Sequence, residues 1–325
     1  MKLNFNRPSE DVFYFMYNPV KPYGSQIYEI IKKTWHTPYV IVSDGPYPII
    51  KKKFSWPEVD HTDGIGTKGI YHWQKGTWRN AVLDALSMNL NDLALARAVP
   101  YKLQNHIILP VEDGRILKVI KALSSECQKR KIAITGGENS FHNDLLGMDI
   151  SMTVSGFVKK NKPNQFQVGD ALVGFKSNGL HSNGFTLIRK VFGKEFRSDF
   201  VKPTRIYLDT ILALDKMYDI HGMMHITGGA FTKLKKLLKG GNAVINNKHA
   251  LYPHPIFYEI SKRGISEREM YQTFNCGIGF IISVPKSQAG KIVSKTKDTD
   301  IIGEVAKGNG HVHIESMFGK KSILF

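Results

Sequence analysis

Cysteine is nearly missing from this 325-residue chain: there are two, Cys127 and Cys276, far apart and outside any CxxC spacing. That excludes a disulfide framework and a cysteine-built zinc site, and it fits a reducing, cytoplasmic setting. Each thiol reads as a small buried hydrophobe. Long apolar runs are missing too. None approaches the ~18 residues that a membrane span requires. Acids and proline interrupt the N-terminal stretch MKLNFNRPSEDVFYFMY, which is therefore not expected to act as a signal peptide. No solenoid repeat or low-complexity tract occurs. Acidic residues are scarce: 28 Asp and Glu stand against 45 Lys and Arg, a net charge of +17. That balance favours anionic partners. Yet the basic residues are scattered, with short runs only at Lys51–Lys53 and from Lys233 to Lys239, and no nucleic-acid motif accompanies them. Neither nucleic acid nor membrane is expected as a partner. Lys235 and Lys236 read as the solvated face of a helix.

The remainder is ordinary globular sequence, 42% apolar and 22% charged. Seven of the 14 prolines fall within the first 57 residues, which predicts a loop-rich start with one helix near Ser25–Trp35 and a short strand at Tyr39–Val42. Periodicity then predicts helices over Arg79–Ala98 and Glu112–Lys131, and strands over His106–Leu109, Ile132–Thr135 and Met148–Val158. Asn161–Val168 is polar, carries Pro163 and reads as a linker. Beyond it come a strand at Ala171–Phe175, a loop at Ser177–Asn183 and helices at Phe185–Phe192 and Phe231–Leu238. The mixed order in both halves predicts an α/β (α+β) chain of two domains, residues 1–168 and 169–325.

Several short motifs could carry chemistry. Gly64-x-Gly66-x-x-Gly69, with Asp84 about 20 residues on, matches a dinucleotide fingerprint. Its context argues against one: Glu58–Asp63 is polar rather than a buried strand, and Tyr71-His72-Trp73 opens no clear helix. Asp63 and Lys68 offer another reading, a carboxylate near a phosphate-bound Mg²⁺ with glycine amides, Thr67 and a lysine around the phosphates. A turn with a salt-bridged surface Asp explains the segment equally well. Asn91-Asp92 places an acid in an apolar stretch, where it needs a partner, a metal or an exposed face. Gly136-Gly137-Glu138 closes a strand, as a ligand loop or a tight turn. Gly179-Leu180-His181-Ser182-Asn183-Gly184 precedes a helix, as an anion site or an N-cap. His225-Ile226-Thr227-Gly228-Gly229 repeats that logic, and Phe274–Gly279 is a further glycine-punctuated strand.

Taken in order, these motifs resemble AIR synthase, the cyclo-ligase that closes the imidazole ring in purine synthesis. The family's D-G-V-G-T-K is similar to Asp63–Lys68, its N-D ahead of G-A-x-P to Asn91-Asp92 ahead of Ala98-Val99-Pro100, and its G-G-E to Gly136–Glu138. Its G-D through H-S-N-G is similar to Gly169-Asp170 through Gly184, its H-I-T-G-G-G to His225–Gly229, and its F-N-M-G-I-G to Phe274–Gly279. The likeness runs from about Asp63 to about Gly308. Arg97 replaces a family glycine, Ala230 another, Cys276 a methionine, and Asn139-Ser140-Phe141 the T-A-E ending. Residues 1–59 have no clear counterpart.

The resemblance implies an N-terminal mixed-sheet domain that contributes to a dimer barrel, a C-terminal α/β domain, and a homodimer. It implies that ATP, with Mg²⁺ and K⁺, phosphorylates the formyl oxygen of formylglycinamidine ribonucleotide, after which an amidine nitrogen closes the ring. Asp63, Asp92 and Glu138 would hold Mg²⁺. Gly64, Gly66, Thr67, Lys68, Asn91, Gly136, Gly137, Gly228 and Gly229 would cradle ATP. His181, Ser182 and Asn183 would contact substrate, with Asp63, Lys68, Asp92, His181 and His225 as the catalytic set. The alternatives are a paralogous phosphotransferase or ligase of the same fold, and a non-catalytic nucleotide-binding homologue.

Overall fold

The computed structural model describes residues 22–319 and 321–325. Residues 1–21 of the expected loop-rich start, with the apolar N-terminal stretch, lie outside the described residues. Helix α1 (Gly24–Lys32) is followed by a hairpin of β1 (Val40–Ser43) and β2 (Ile49–Lys52). Strand β3 (Glu58–Gly64) then leads through a 3-10 turn at Gly66–Lys68 into helix α2 (Gly69–Lys75). Both differ from the sequence reading. β3 reads as polar because it is a sheet edge, paired only to one neighbour, with alternate side chains facing outward. The fingerprint reading still fails, because β3 runs in an antiparallel ladder rather than a parallel nucleotide-binding sheet.

Helix α3 (Trp78–Leu95), strand β4 (Val99–Leu109), helix α4 (Arg115–Arg130), strand β5 (Ala133–Phe141) and strand β6 (Asp149–Phe157) complete the first unit. The sheet order is β3-β6-β4-β5, with β4 and β5 parallel across the α4 crossover and the other pairs antiparallel. β5 does not stop at Gly136-Gly137-Glu138 but carries these residues in register with Gln104, Asn105 and His106. One face of the sheet packs Ile150, Met152 and Val154 against α3 and α4. The other is polar, bearing Thr62, Thr153 and His106.

The second unit begins with β7 (Asp170–Lys176), helix α5 (Phe185–Phe192), helix α6 (Leu208–Met217) and β8 (Gly222–His225). A 3-10 helix at Ala230–Leu237 stands where an α-helix was expected. β9 (Gly241–Ile245), α7 (Pro255–Lys262), α8 (Glu267–Thr273), β10 (Ile278–Pro285) and α9 (Lys286–Lys295) follow, then β11 (Thr299–Lys307), β12 (Val312–Glu315) and β13 (Ser322–Leu324). These strands form a seven-stranded sheet, β13-β12-β9-β11-β7-β10-β8. Its one face joins the first unit through α3, α6 and α9 in a shared core; the other packs α5, α7 and α8. The segment read as a linker is tethered, with Phe166 buried and bridged to Leu238. Cys127 and Cys276 are both buried free thiols.

α3 sits between the two sheets and is buried on nearly every side. At its end Arg97 adopts φ +55°. This is the left-handed region that a glycine occupies without strain, which accounts for the family's glycine at that position. Arg97 does not reach a nucleotide site: its guanidinium pairs with Asp215 at 2.9 Å and donates to the carbonyls of Ile220 at 2.9 Å and Lys162 at 3.4 Å. Arg97→Ala removes one partner of a mostly buried ion pair and should cost about 3–5 kcal/mol. Arg97→Gly loses the same bonds but relieves backbone strain of about 1 kcal/mol. Denaturant unfolding should therefore rank wild type above Arg97→Gly above Arg97→Ala.

Candidate active site

A cavity of about 520 Å³ opens between the two units, lined by Asp63, Gly64, Ile65, Gly66, Met88, Asp149, Ser151, Ser182, Asn183, Thr227 and Gly228. Three of the sequence motifs thus meet on its walls. The Gly64–Gly69 loop lies against the start of β6, backbone on backbone: a Cβ on Gly69 would fall 1.8 Å from the Met148 carbonyl oxygen. The His181–Gly184 loop is clamped at its far end, because Gly184 sits at φ +75° with its Cα facing the Phe274 ring, where a Cβ would be 2.3 Å away. A second cavity, about 880 Å³, lies on the polar face of the four-stranded sheet beneath α1 and the β1–β2 hairpin, and includes Gly136, Gly137 and Glu138. Ser151 lines both cavities, so they meet at β6.

Lys68 is not on the cavity wall. Its side chain is fully buried, and all three ammonium donors are engaged: Asp84 at 2.8 Å and the carbonyls of His181 at 2.8 Å and Lys202 at 2.5 Å. It is therefore a bolt between the units rather than a phosphate ligand. Asp84, absent from the expected site, is the centre of this knot. One oxygen takes Lys68 and His72 Nε2, both at 2.8 Å; the other takes Ser182 Oγ at 2.9 Å and the Thr204 amide and hydroxyl at 2.6 Å. Burial pushes the Asp84 carboxyl up, but Lys68 and His72 outweigh it and hold the group far below the usual carboxylate range. Ser182 thus faces the cavity with its hydroxyl held from behind.

The expected Mg²⁺ ligands are not gathered. Asp63 and Asp92 lie on the helical side of the sheet, whereas Glu138 lies on the polar side, three strands across from β3. Among the described residues no group of three or more His, Cys, Asp or Glu is placed to hold a metal. Asp92 bridges two imidazoles instead. It accepts from His225 Nδ1 at 2.9 Å and lies 3.3 Å from His61 Nε2. Burial pushes the Asp92 carboxyl up, and the two histidines more than reverse that. His61 is held above its ordinary value chiefly by its bond to Asp92, whereas burial pushes His225 below its own. Of the two imidazoles, the pair therefore favours the charged form at His61 and disfavours it at His225.

His225 is fully buried, with Asn91 Nδ2 3.2 Å from its Nε2 and its ring against Phe280. It does not reach the cavity. Asn91 is equally enclosed, donating to the Arg205 carbonyl and accepting from the Tyr207 amide, so it braces the units instead of binding nucleotide. His181 takes φ +62° and is buried beside Tyr207, with neither ring nitrogen hydrogen-bonded. Burial drives its pKa well below the ordinary histidine value. Its ring makes no contact with the cavity, contrary to the expected substrate role.

Near the Thr227-Gly228 segment the half-buried cation is Lys233 rather than Lys68. Its ammonium donates to Thr227 Oγ1, its stem lies along Gly229, and the charges of Asp92 and Asp63 act on it. Burial nonetheless lowers its pKa. The available signal was a lysine five residues after Gly228, at the start of a helical stretch. Gly228 and Gly229 also line a third cavity, of about 530 Å³, with Arg268 and Gln272.

Two models of the AIR synthase related protein family match the chain, the N-terminal domain over residues 55–158 and the C-terminal domain over residues 167–315. The chain belongs to this family. The phosphoribosylformylglycinamidine cyclo-ligase of Saccharolobus solfataricus is 33% identical over 304 residues, 90% of this chain and 91% of that protein. The cyclo-ligase of Sulfurisphaera tokodaii is 38% identical over 264 residues, 77% of this chain and 80% of its own. Among solved structures, hydrogenase maturation protein HypE in complex with ATP superposes with a TM-score of 0.69 at 15% identity, covering 93% of each chain. Thiamine-monophosphate kinase from Stenotrophomonas maltophilia follows with a TM-score of 0.65 at 16% identity, covering 91% of this chain and 97% of that one. These two show the shared fold.

The His61–Asp92 pair has a signature in solution. Because the folded state raises the His61 pKa, its contribution to stability is complete below the unfolded value, about 6.5, and is lost as pH rises through the folded value. The buried histidines whose pKa values burial lowers, His72, His181, His225 and His249, act in the other direction and at lower pH. Denaturation midpoints followed upward from about pH 6.5 should fall in wild type, and His61→Gln should flatten that slope.

Proposed function

We propose that the chain catalyses ATP-dependent closure of formylglycinamidine ribonucleotide to aminoimidazole ribonucleotide. The observation that carries this reading is the 520 Å³ interdomain cavity, where the Asp63–Gly66, Ser182-Asn183 and Thr227-Gly228 segments face one another. Cyclo-ligase relatives that match along most of the chain support it. ATP is a co-substrate here. Its phosphates are assigned to the Gly64–Thr67 loop and to Thr227-Gly228, beneath Lys233. Gly66 is open for this purpose: a Cβ there would meet nothing within 4 Å. The nucleoside end extends past Ser151 toward Gly136–Glu138. Mg²⁺ and K⁺ keep only the place that the family resemblance gives them, as companions of ATP, and Asp63 alone of the three expected carboxylates lines the reaction cavity.

The chemistry asks for positioning and charge neutralisation. The formyl oxygen attacks the γ-phosphorus and ADP leaves; loss of the formamide N–H proton gives an iminophosphate. The ribose-bearing amidine nitrogen then attacks the formyl carbon, phosphate departs with the oxygen, and a second proton loss completes the ring. Lys233 offsets charge on the transferring phosphoryl group. His61 and Asp92 hold the cavity floor near Asp63 through Asn89, which bonds His61 at 3.1 Å and the Asp63 carbonyl at 3.1 Å.

The polar sheet face with its edge strands β3 and β5 supports a second proposal within the same reading, that another copy covers it as a homodimer. The work is that of a cytoplasmic biosynthetic enzyme.

The test is product formation from formylglycinamidine ribonucleotide, ATP, Mg²⁺ and K⁺. Wild type should form the aminoimidazole. Lys233→Met and Asp63→Asn should lower kcat by about 10²-fold or more, the scale of losing a preorganised charge in a closed site. Folded, ATP-binding wild type that forms no product would leave a paralogous phosphotransferase or ligase, if ADP appears with another substrate, or a non-catalytic nucleotide binder, if none does.

A further inference from the structure

Two buried polar atoms on the 520 Å³ cavity have no hydrogen-bond partner among the described residues: Asp149 Oδ1 and Asn183 Nδ2. They are opposite in kind, an acceptor and a donor. A buried polar atom without a partner is costly, so each implies a ligand group of the complementary kind. Asp149 did not figure among the residues singled out by motif. It is the first residue of β6, and its place is rigid. The neighbouring backbone lies against the glycine loop, where the Ile65 amide donates to the Ile150 carbonyl at 3.0 Å and a Cβ on Gly64 would fall 2.7 Å from that same oxygen. Burial raises the Asp149 carboxyl pKa, opposed only by the Ile150 amide and the more distant His106. Among the described residues no lysine or arginine acts on it. A positively charged or N–H-rich ligand group would recover that cost.

The substrate of the proposed reaction carries such a group at one end and an acceptor at the other. Its amidine is planar and forked, and cationic when protonated, which matches a carboxylate as a guanidinium does. Its formyl oxygen accepts. We propose that Asp149 is the specificity-determining residue for the amidine: it accepts from the terminal amidine nitrogen, the one that becomes the exocyclic amino group, while Asn183 Nδ2 donates to the formyl oxygen. The assignment rests on the ring-closure reading and deepens it. Anchoring the terminal nitrogen leaves the ribose-bearing nitrogen as the one turned toward the formyl carbon. The same contact rejects the corresponding amide, formylglycinamide ribonucleotide. That compound carries a carbonyl oxygen in place of the terminal nitrogen and would set two acceptors face to face. Sites that pair with a substrate N–H discriminate strongly against analogues that lack it.

Equilibrium binding and steady-state kinetics with both ribonucleotides test this, with ATP affinity and melting temperature measured alongside. Wild type should favour the amidine over the amide by about 10²-fold or more. Asp149→Asn should raise KM for the amidine about 10–100-fold, leave ATP affinity unchanged, and bind the amide better than wild type does, because its new N–H donor suits the carbonyl. A general structural defect would not improve amide binding. If Asp149→Asn fails to fold, the wild-type preference and Asp149→Ser decide in its place. Unchanged amidine KM and unchanged discrimination in the variant would overturn the assignment. So would a wild type that binds both compounds equally while still closing the ring, which leaves the ring-closure reading intact. A wild type that prefers the amidine but forms no aminoimidazole would support Asp149 and overturn ring closure.

Discussion

Asp84 is the residue from which the site hangs. A fully buried carboxylate is tolerable only with its charge answered and its lone pairs filled, and here five donors converge on it. Three come from Lys68, His72 and Ser182, side chains that belong to two different units, and two from Thr204. The two units therefore cannot shift apart without exposing an unpaired charge to a medium that does not solvate it. Loss of one partner from such a group typically costs about 3–5 kcal/mol. Lys68 extends the constraint: its other two donors hold the carbonyls of His181 and Lys202. The loop that presents Ser182 and Asn183 is thus fixed from beneath, and the left-handed His181 within it is held by the same bonds.

The knot belongs to a longer arrangement along α3. Ser87 donates to the Thr204 carbonyl, and Asn91 brackets Arg205 and Tyr207. With Asp84 they make a polar edge on a helix otherwise buried in aliphatic core, and they bind the extended segment 204–207 of the second unit. On the opposite flank Asn89 and Asp92 reach His61 on β3. One helix thereby sets the position of both cavity walls, the Asp63 strand on one side and the Ser182 loop on the other. This explains why an apolar helix carries so many acids and amides: each is paired across an interface, and each replaces water that the core excludes.

These pairings also mark how far the sequence could be read. Elements with a strong 3.6-residue period were legible, and α5 over Phe185–Phe192 was placed to the residue. β3 was not, because an edge strand with polar alternation resembles a loop until its partner is known. The mixed α/β order and the family were legible from short motifs, yet the roles within those motifs were not. A D-G-I-G-T-K segment looks the same whether its lysine meets a phosphate or a buried carboxylate. Asp84 lies 16 residues further on, and only folding shows that it claims the lysine. His181, His225 and Asn91 likewise read as open loop or helix residues, although tertiary packing seals them. Arg97 was legible as a departure; its meaning, an ion pair and a strained backbone in place of a glycine, needed Asp215, more than a hundred residues away. Lys233 and Asp149 were missed because neither stands in a glycine motif.

The charge distribution brings these residues together. A net charge of +17 favours anionic ligands in general, the proposed nucleotides among them. Yet the cavity carries two carboxylates, Asp63 and Asp149, which would repel a purely phosphate-bearing ligand. A site meant for phosphates alone would gain nothing from Asp149. Under the proposed reaction the arrangement suits a ligand pair of mixed polarity, with polyphosphate against the glycine loops and Lys233, and an N–H-rich, cation-forming group against the Asp149 oxygen that has no partner among the described residues. Long-range attraction is then supplied by the scattered surface lysines, which discriminate little. Selection falls to the few buried groups whose hydrogen bonds stay incomplete until the matching ligand arrives.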